Sequence, residues 1–101
     1  MLYDKNDITI EGNIDCAFDE DVKKRYKAYG WQVLEVEDGN EDMKAIAAAI
    51  EEAKEEKERP SLIIVKTAIA YGCPAKQGSE SSHGSPLGQD NICLLYTSRC
   101  V

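Results

Sequence analysis

His83 is the only histidine in the 101-residue chain, and it lies in Ser82-His83-Gly84-Ser85-Pro86-Leu87-Gly88. An imidazole can donate to phosphate oxygens or share a proton with a substrate hydroxyl near neutral pH. The four cysteines, Cys16, Cys73, Cys93 and Cys100, form no C-x-x-C pair and have no histidine at zinc-finger spacing. They read as structural thiols in a reducing compartment. Taken by itself, His83 reads as a loop histidine bonded to backbone, so any larger role depends on what the fold brings to it.

The loop that holds it, from Thr67 to Gly88, is rich in Gly, Ser and Pro and follows the most apolar run of the chain, Ser61-Leu62-Ile63-Ile64-Val65. That run, bounded by Pro60 and Lys66, must be buried on both faces, as a central parallel strand is. The carboxyl end of such a strand is where open α/β sheets bind ligands. A loop this long in a compact domain usually has a function.

The remaining elements follow from pattern. Leu2-Tyr3 reads as the stub of a strand, and Ile8-Thr9-Ile10 as a short extended segment turning at Glu11-Gly12-Asn13. Asp19-Glu20-Asp21 ahead of Val22, Tyr26 and Tyr29 predicts a helix over 19–29, with carboxylates in its first turn and Gly30 just past its end. Trp31 to Val36 alternates as a strand does. Asp38-Gly39-Asn40 is turn chemistry, with Asn40 placed to cap a helix that begins at Glu41. In that helix Met43, Ile46, Ala47, Ile50 and Ala53 recur at helical spacing, a charged run to Arg59 forms the solvated face, and Pro60 stops it. Strand, helix, strand, helix, strand predicts an α/β layer with parallel pairing and right-handed crossovers, left incomplete at an edge or face. Residues 93–101 show no helical period and no acidic character, and read as a non-native tail.

Length allows one domain at most. A net charge of −7 and a pI near 4.6 argue against nucleic acid and anionic membrane surfaces as partners. No run approaches a membrane span, and the N-terminus lacks a signal-peptide pattern, so export is unsupported.

Several stretches, in order, resemble transketolases. Tyr3-Asp4-Lys5-Asn6-Asp7-Ile8-Thr9-Ile10-Glu11-Gly12 is similar to the segment that closes their thiamine-diphosphate motif. Phe18-Asp19-Glu20-Asp21-Val22, Arg25-Tyr26, Ala28-Tyr29-Gly30-Trp31, Asp38-Gly39-Asn40, Pro60-Ser61-Leu62-Ile63, Lys66-Thr67 and Ser82-His83-Gly84-Ser85-Pro86-Leu87-Gly88 continue the likeness to about residue 92. The resemblance implies a partial thiamine-diphosphate-binding domain over 1–92, a fragment of a three-layer α/β fold with a parallel sheet and a long C-terminal Gly/Ser/Pro loop. It implies a cytoplasmic homodimeric enzyme that moves a two-carbon ketol unit from a ketose phosphate to an aldose phosphate. Its cofactors would be thiamine diphosphate and Mg²⁺, or another divalent cation such as Ca²⁺.

By resemblance, the Asn6 side chain binds the metal and contacts the diphosphate, the Ile8 backbone carbonyl binds the metal, and His83 reaches diphosphate and substrate. On spacing alone Asn6 and Ile8 are a turn residue and a core residue. An amide oxygen and a carbonyl suit a small hard cation that takes oxygen ligands. Lys66 and Thr67 could frame the pocket. Asp7 stands where the family often has a small residue such as glycine, Cys73 where a serine is usual, and Ser79-Glu80-Ser81 departs from the common pattern.

The glycine-aspartate-glycine half of the cofactor motif is expected upstream of Met1, making Met1 an internal residue or a false start. The glutamate that activates the cofactor in such enzymes comes from another domain of the partner subunit. The chain alone is therefore expected to be catalytically inactive. Two other readings stand beside this one: a subunit of a split thiamine-diphosphate enzyme, and a stand-alone α/β binding module without catalysis.

Overall fold

Ser61–Lys66, the most apolar run, forms β5 at the centre of a three-stranded sheet in the order β1-β5-β4, with β1 spanning Leu2–Lys5 and β4 Gln32–Val36. The structure, a computed structural model, describes residues 1–9, 12–16 and 18–99. Both pairings of β5 are parallel, with Leu2↔Ile63 and Lys5↔Lys66 on one side and Leu34↔Ile63 and Val36↔Val65 on the other. Leu62, Ile63, Ile64 and Val65 are all buried, as a strand covered on both faces requires.

Helix α2, Met43–Glu55, covers the face that carries Leu34, Val36, Ile63 and Val65. Its core-facing stripe is the buried Ala49 with the partly buried Ala45, Ile46, Ile50 and Ala53. Met43 and Ala47, expected on that stripe, are exposed, because the contact runs one position along the turn. Helix α1, Val22–Ala28, packs over β4 on the other face, where Lys23 Nζ pairs with the carboxylate of Glu35. Glu35 alternates away from Leu34 and Val36, so the two helices lie on opposite faces.

Both helices start later than the sequence pattern suggests. Asp21 is the N-cap of α1 and not part of its first turn; its carboxylate accepts the Lys24 N–H at 3.0 Å. Asp42, not Asn40, caps α2 and accepts the Ala45 N–H at 2.9 Å. The cause is Asp38, whose carboxylate takes the N–H groups of Asn40 and Glu41 at 3.1 and 3.2 Å and holds them in a turn. Helix α2 ends at Glu55, well short of Pro60. Glu56 is extended there, and its carboxylate takes the Glu58 N–H and Arg59 Nε, both at 3.0 Å.

Helix α1 closes as expected. Gly30, at φ 84°, donates to the Lys27 carbonyl at 3.0 Å, and Trp31 donates to Tyr26 at 3.1 Å. This pair of bonds is a Schellman motif. Its apolar contact is the Tyr26 and Trp31 rings, edge to face with centroids 4.9 Å apart. Trp31 is thus spent on the cap, and β4 begins at Gln32.

The chain divides into two compact units, one of Met1–Lys5 and Glu20–Thr67, the other of Asn6–Asp19 and Ala68–Val101. The first holds the sheet, α1 and α2. The second includes a small antiparallel hairpin, β2 (Ile8–Thr9) with β3 (Gly12–Asn13), followed by a 3₁₀ turn at Ile14–Cys16. Ile10 and Glu11, part of the expected extended segment and turn, lie outside the described residues. The second unit also holds a 3₁₀ turn at Glu80–Ser82 and α3, Gln89–Arg99.

Residues 93–101 show no helical period, yet the chain is helical through Arg99 in α3, while Cys100 and Val101 lie outside the described residues. Its apolar side chains are not gathered on one stripe, and Ile92, Leu94 and Tyr96 are all exposed. A helix without an apolar face leaves no period to read. Among the described residues, no helix is long and apolar enough to cross a membrane.

Candidate functional site

The carboxyl ends of the three strands are pinned together inside the first unit. Thr67 N–H donates to the Lys5 carbonyl at 3.1 Å, and Gly39 N–H to the Lys66 carbonyl at 2.8 Å. A Cβ on Gly39 would press on Val65 Cγ1 and stand 3.0 Å from the Lys66 carbonyl oxygen, so only glycine lets this turn lie on the strand end. The Thr67 hydroxyl is bonded to the Asp4 carboxylate, and Lys66 is exposed beside its register partner Lys5. The sequence marks Asp38-Gly39-Asn40 as a turn; it does not show that the turn fastens two strand ends.

Chain order puts Asn6 directly after β1 and Ala68 two residues after β5. The three residues singled out in the sequence, Asn6, Ile8 and His83, all fall in the second unit. Asn6 Oδ1 accepts the Ile8 backbone N–H at 3.1 Å, in a half-buried setting. Between them Asp7 has φ 58°, in the left-handed region. That kink turns the Asn6 side chain toward the Ile8 backbone, and the Asp7 carbonyl accepts the Ile14 N–H at 3.0 Å, closing the hairpin. Aspartate tolerates this conformation better than most residues, and glycine adopts it without strain.

The donor chemistry at Asn6 and Ile8 fits a small hard cation in part. An amide oxygen has two acceptor positions, and Asn6 Oδ1 uses one for Ile8, leaving one for a ligand. With the Ile8 carbonyl it could supply two neutral oxygens of the six such an ion takes.

His83 ends the 3₁₀ turn Glu80–Ser82 in extended conformation, with its N–H bonded to the Glu80 carbonyl at 3.0 Å and its side chain exposed. The loop around it folds on itself. Gly78 N–H reaches back to the Ile69 carbonyl at 2.9 Å, and Gly72 N–H to Gln77 Oε1 at 2.8 Å. The fully buried Cys73 accepts the N–H groups of Lys76 and Gln77 on its carbonyl, at 3.1 and 2.8 Å. Cys73 and Cys93 are free thiols, the first buried and the second exposed. Among the described residues, Ala70, at φ 54°, joins Asp7 as a non-glycine residue in the left-handed region. The residues that shape the loop, Ala70, Cys73 and Lys76, carry no signal in their types or spacing.

Comparison with solved structures matches this arrangement of sheet, helices and loop to one class of protein. The chain superposes on transketolase from Leishmania mexicana with a TM-score of 0.92 at 37% identity, covering 96% of this chain and 14% of that one. It superposes on Pichia stipitis transketolase in complex with sedoheptulose-7-phosphate with a TM-score of 0.91 at 46% identity, with the same coverage. The family model that fits the chain, over residues 1–99, is that of the transketolase thiamine diphosphate binding domain.

The chain belongs to the transketolase family. It is 55% identical over 94 residues to transketolase from Halalkalibacterium halodurans and 54% identical over 94 residues to transketolase 1 of Saccharomyces cerevisiae. It spans 14% of the length of these curated relatives, while they cover 93% of it. It therefore corresponds to a part of the cofactor-binding domain.

Proposed function

We propose that this chain forms one wall of the diphosphate and metal site of a transketolase that passes a two-carbon ketol unit from a ketose phosphate to an aldose phosphate. Asn6 and Ile8 hold a divalent cation, Mg²⁺ or another such as Ca²⁺, through two neutral oxygens, and Asn6 also contacts the diphosphate. His83 donates a hydrogen bond to the diphosphate and holds or accepts a proton at a substrate hydroxyl. The observation that carries this reading is the Asn6–Asp7–Ile8 kink, which turns an amide oxygen onto the backbone of the residue two positions on. When bound, thiamine diphosphate supplies the carbanion chemistry that breaks and remakes the C–C bond. The protein residues bind, orient and move protons.

The complete enzyme acts as a cytoplasmic homodimer on sugar phosphates, and the chain by itself does not turn over. The test is a chimera in which residues 1–92 replace the matching segment of the Halalkalibacterium halodurans enzyme. The chimera transfers ketol units. His83→Ala lowers its kcat/KM by on the order of 10²-fold or more, and Asn6→Ala raises the Mg²⁺ concentration it needs. An active chimera indifferent to both substitutions contradicts the assignment.

A further inference from the structure

Lys76 touches the chain on both sides of His83. Its ammonium donates to the Pro86 carbonyl at 3.2 Å, three residues after the histidine, and its own carbonyl accepts the Ser82 hydroxyl at 2.8 Å, one residue before it. The same carbonyl takes the Ser79 N–H at 3.1 Å, at the start of the turn that His83 ends. Lys76 is itself anchored, because its N–H donates at 3.1 Å to the carbonyl of Cys73, the fully buried residue of the loop. The residue is half-buried, whereas Lys24, Lys27, Lys44 and Lys54 on α1 and α2 are exposed. One residue thus ties the entry and the exit of the His83 segment to the buried base of the loop.

We propose that Lys76 is a positioning residue for His83: its main chain and ammonium together clasp Ser82 to Pro86, so that the exposed imidazole is presented in one orientation. The proposal rests on the reading of His83 as a diphosphate ligand and deepens it. A lone imidazole on a glycine-flanked loop would sample many orientations, and each hydrogen bond across it removes some of that freedom. Among the described residues the ammonium pairs with no carboxylate, so its direction is set by the Pro86 carbonyl.

Because His83 is the only histidine, its imidazole resonances in the 101-residue chain are read without ambiguity. Its amide, bonded to Glu80, also serves as a hydrogen-exchange reporter. Lys76→Met keeps the aliphatic stem and removes the donor. It should raise exchange at the His83 amide by about five- to tenfold, the worth of one such bond, with the amides of β5 unchanged. In a titration with Mg²⁺ and inorganic pyrophosphate at millimolar concentration, the midpoint seen by the imidazole should weaken several-fold in Lys76→Met and return in Lys76→Arg. Should Lys76→Met disturb β5 as well, Ser82→Ala cuts the same clasp without a change of charge and should move both readouts in the same direction. A Lys76→Met chain with parental exchange and midpoint overturns the role of Lys76 while leaving the site intact. A parent imidazole that ignores pyrophosphate overturns the diphosphate reading, and the positioning role falls with it.

Discussion

Asp7 sits at φ 58° between the two oxygen donors of the candidate metal site, and Ala70 at φ 54° opens the turn that leads to Cys73. Neither conformation suits an L side chain, but aspartate is eased by its short polar group and alanine is not. Asp7→Gly should therefore leave the folded chain close to parental stability, and Asp7→Val should cost about 1–2 kcal/mol, both measured by urea denaturation. Ala70→Gly should gain up to about 1 kcal/mol in the same assay, reduced by the entropy glycine adds to the unfolded chain. Gly39 is the opposite case, a position where space and not φ is limiting. Gly39→Ala drives a methyl group against Val65 and the Lys66 carbonyl and should cost about 1–3 kcal/mol. Parental stability of Gly39→Ala would show that the turn does not fasten the strand ends.

At the scale of the elements, the sheet and both helices of the first unit are legible in the residue pattern, because periodicity reports which faces are buried. Ser61–Lys66 is an apolar run and becomes the central strand; Gly30 reads as the end of α1 and closes it at φ 84°. Boundaries were less legible. Asp19-Glu20-Asp21 and Asn40 are all competent capping or first-turn residues, and only the competing turn at Asp38 and the carboxylate of Asp21 decide which are used. Asn6 and Ile8 are visible only through resemblance, since an Asx turn leaves no periodic mark, and the clasp at Lys76 depends on bonds across six and ten residues that composition cannot reveal.

The cap of α1 also has a pH dependence of fixed sign. Its backbone bond from Lys24 N–H, before all other causes, holds the Asp21 carboxyl below its ordinary value of 3.8. The folded value is depressed, so the stabilisation is complete above 3.8 and disappears as pH falls through the lower folded value. Urea midpoints should be level from neutral pH down toward that range and then drop. Asp21→Asn keeps a capping oxygen and should lessen the drop. An identical acid profile in Asp21→Asn would remove Asp21 from the account.

For the molecule as a whole, the central claim is that two loops widely separated in sequence, at Asn6–Ile8 and at His83, face one metal-bound diphosphate. Both belong to the same compact unit, and each is held by its own local bonds. The net charge of −7 makes nonspecific cation binding at the acidic stretch Glu51–Glu58 the natural competitor. The measurement that separates the two is paramagnetic broadening by Mn²⁺ added with inorganic pyrophosphate to the labelled chain. The account predicts that the amides of Asn6 and Ile8 and the imidazole of His83 broaden together, ahead of the rest of the spectrum. Broadening centred on residues 51–58, with His83 sharp throughout, would contradict it.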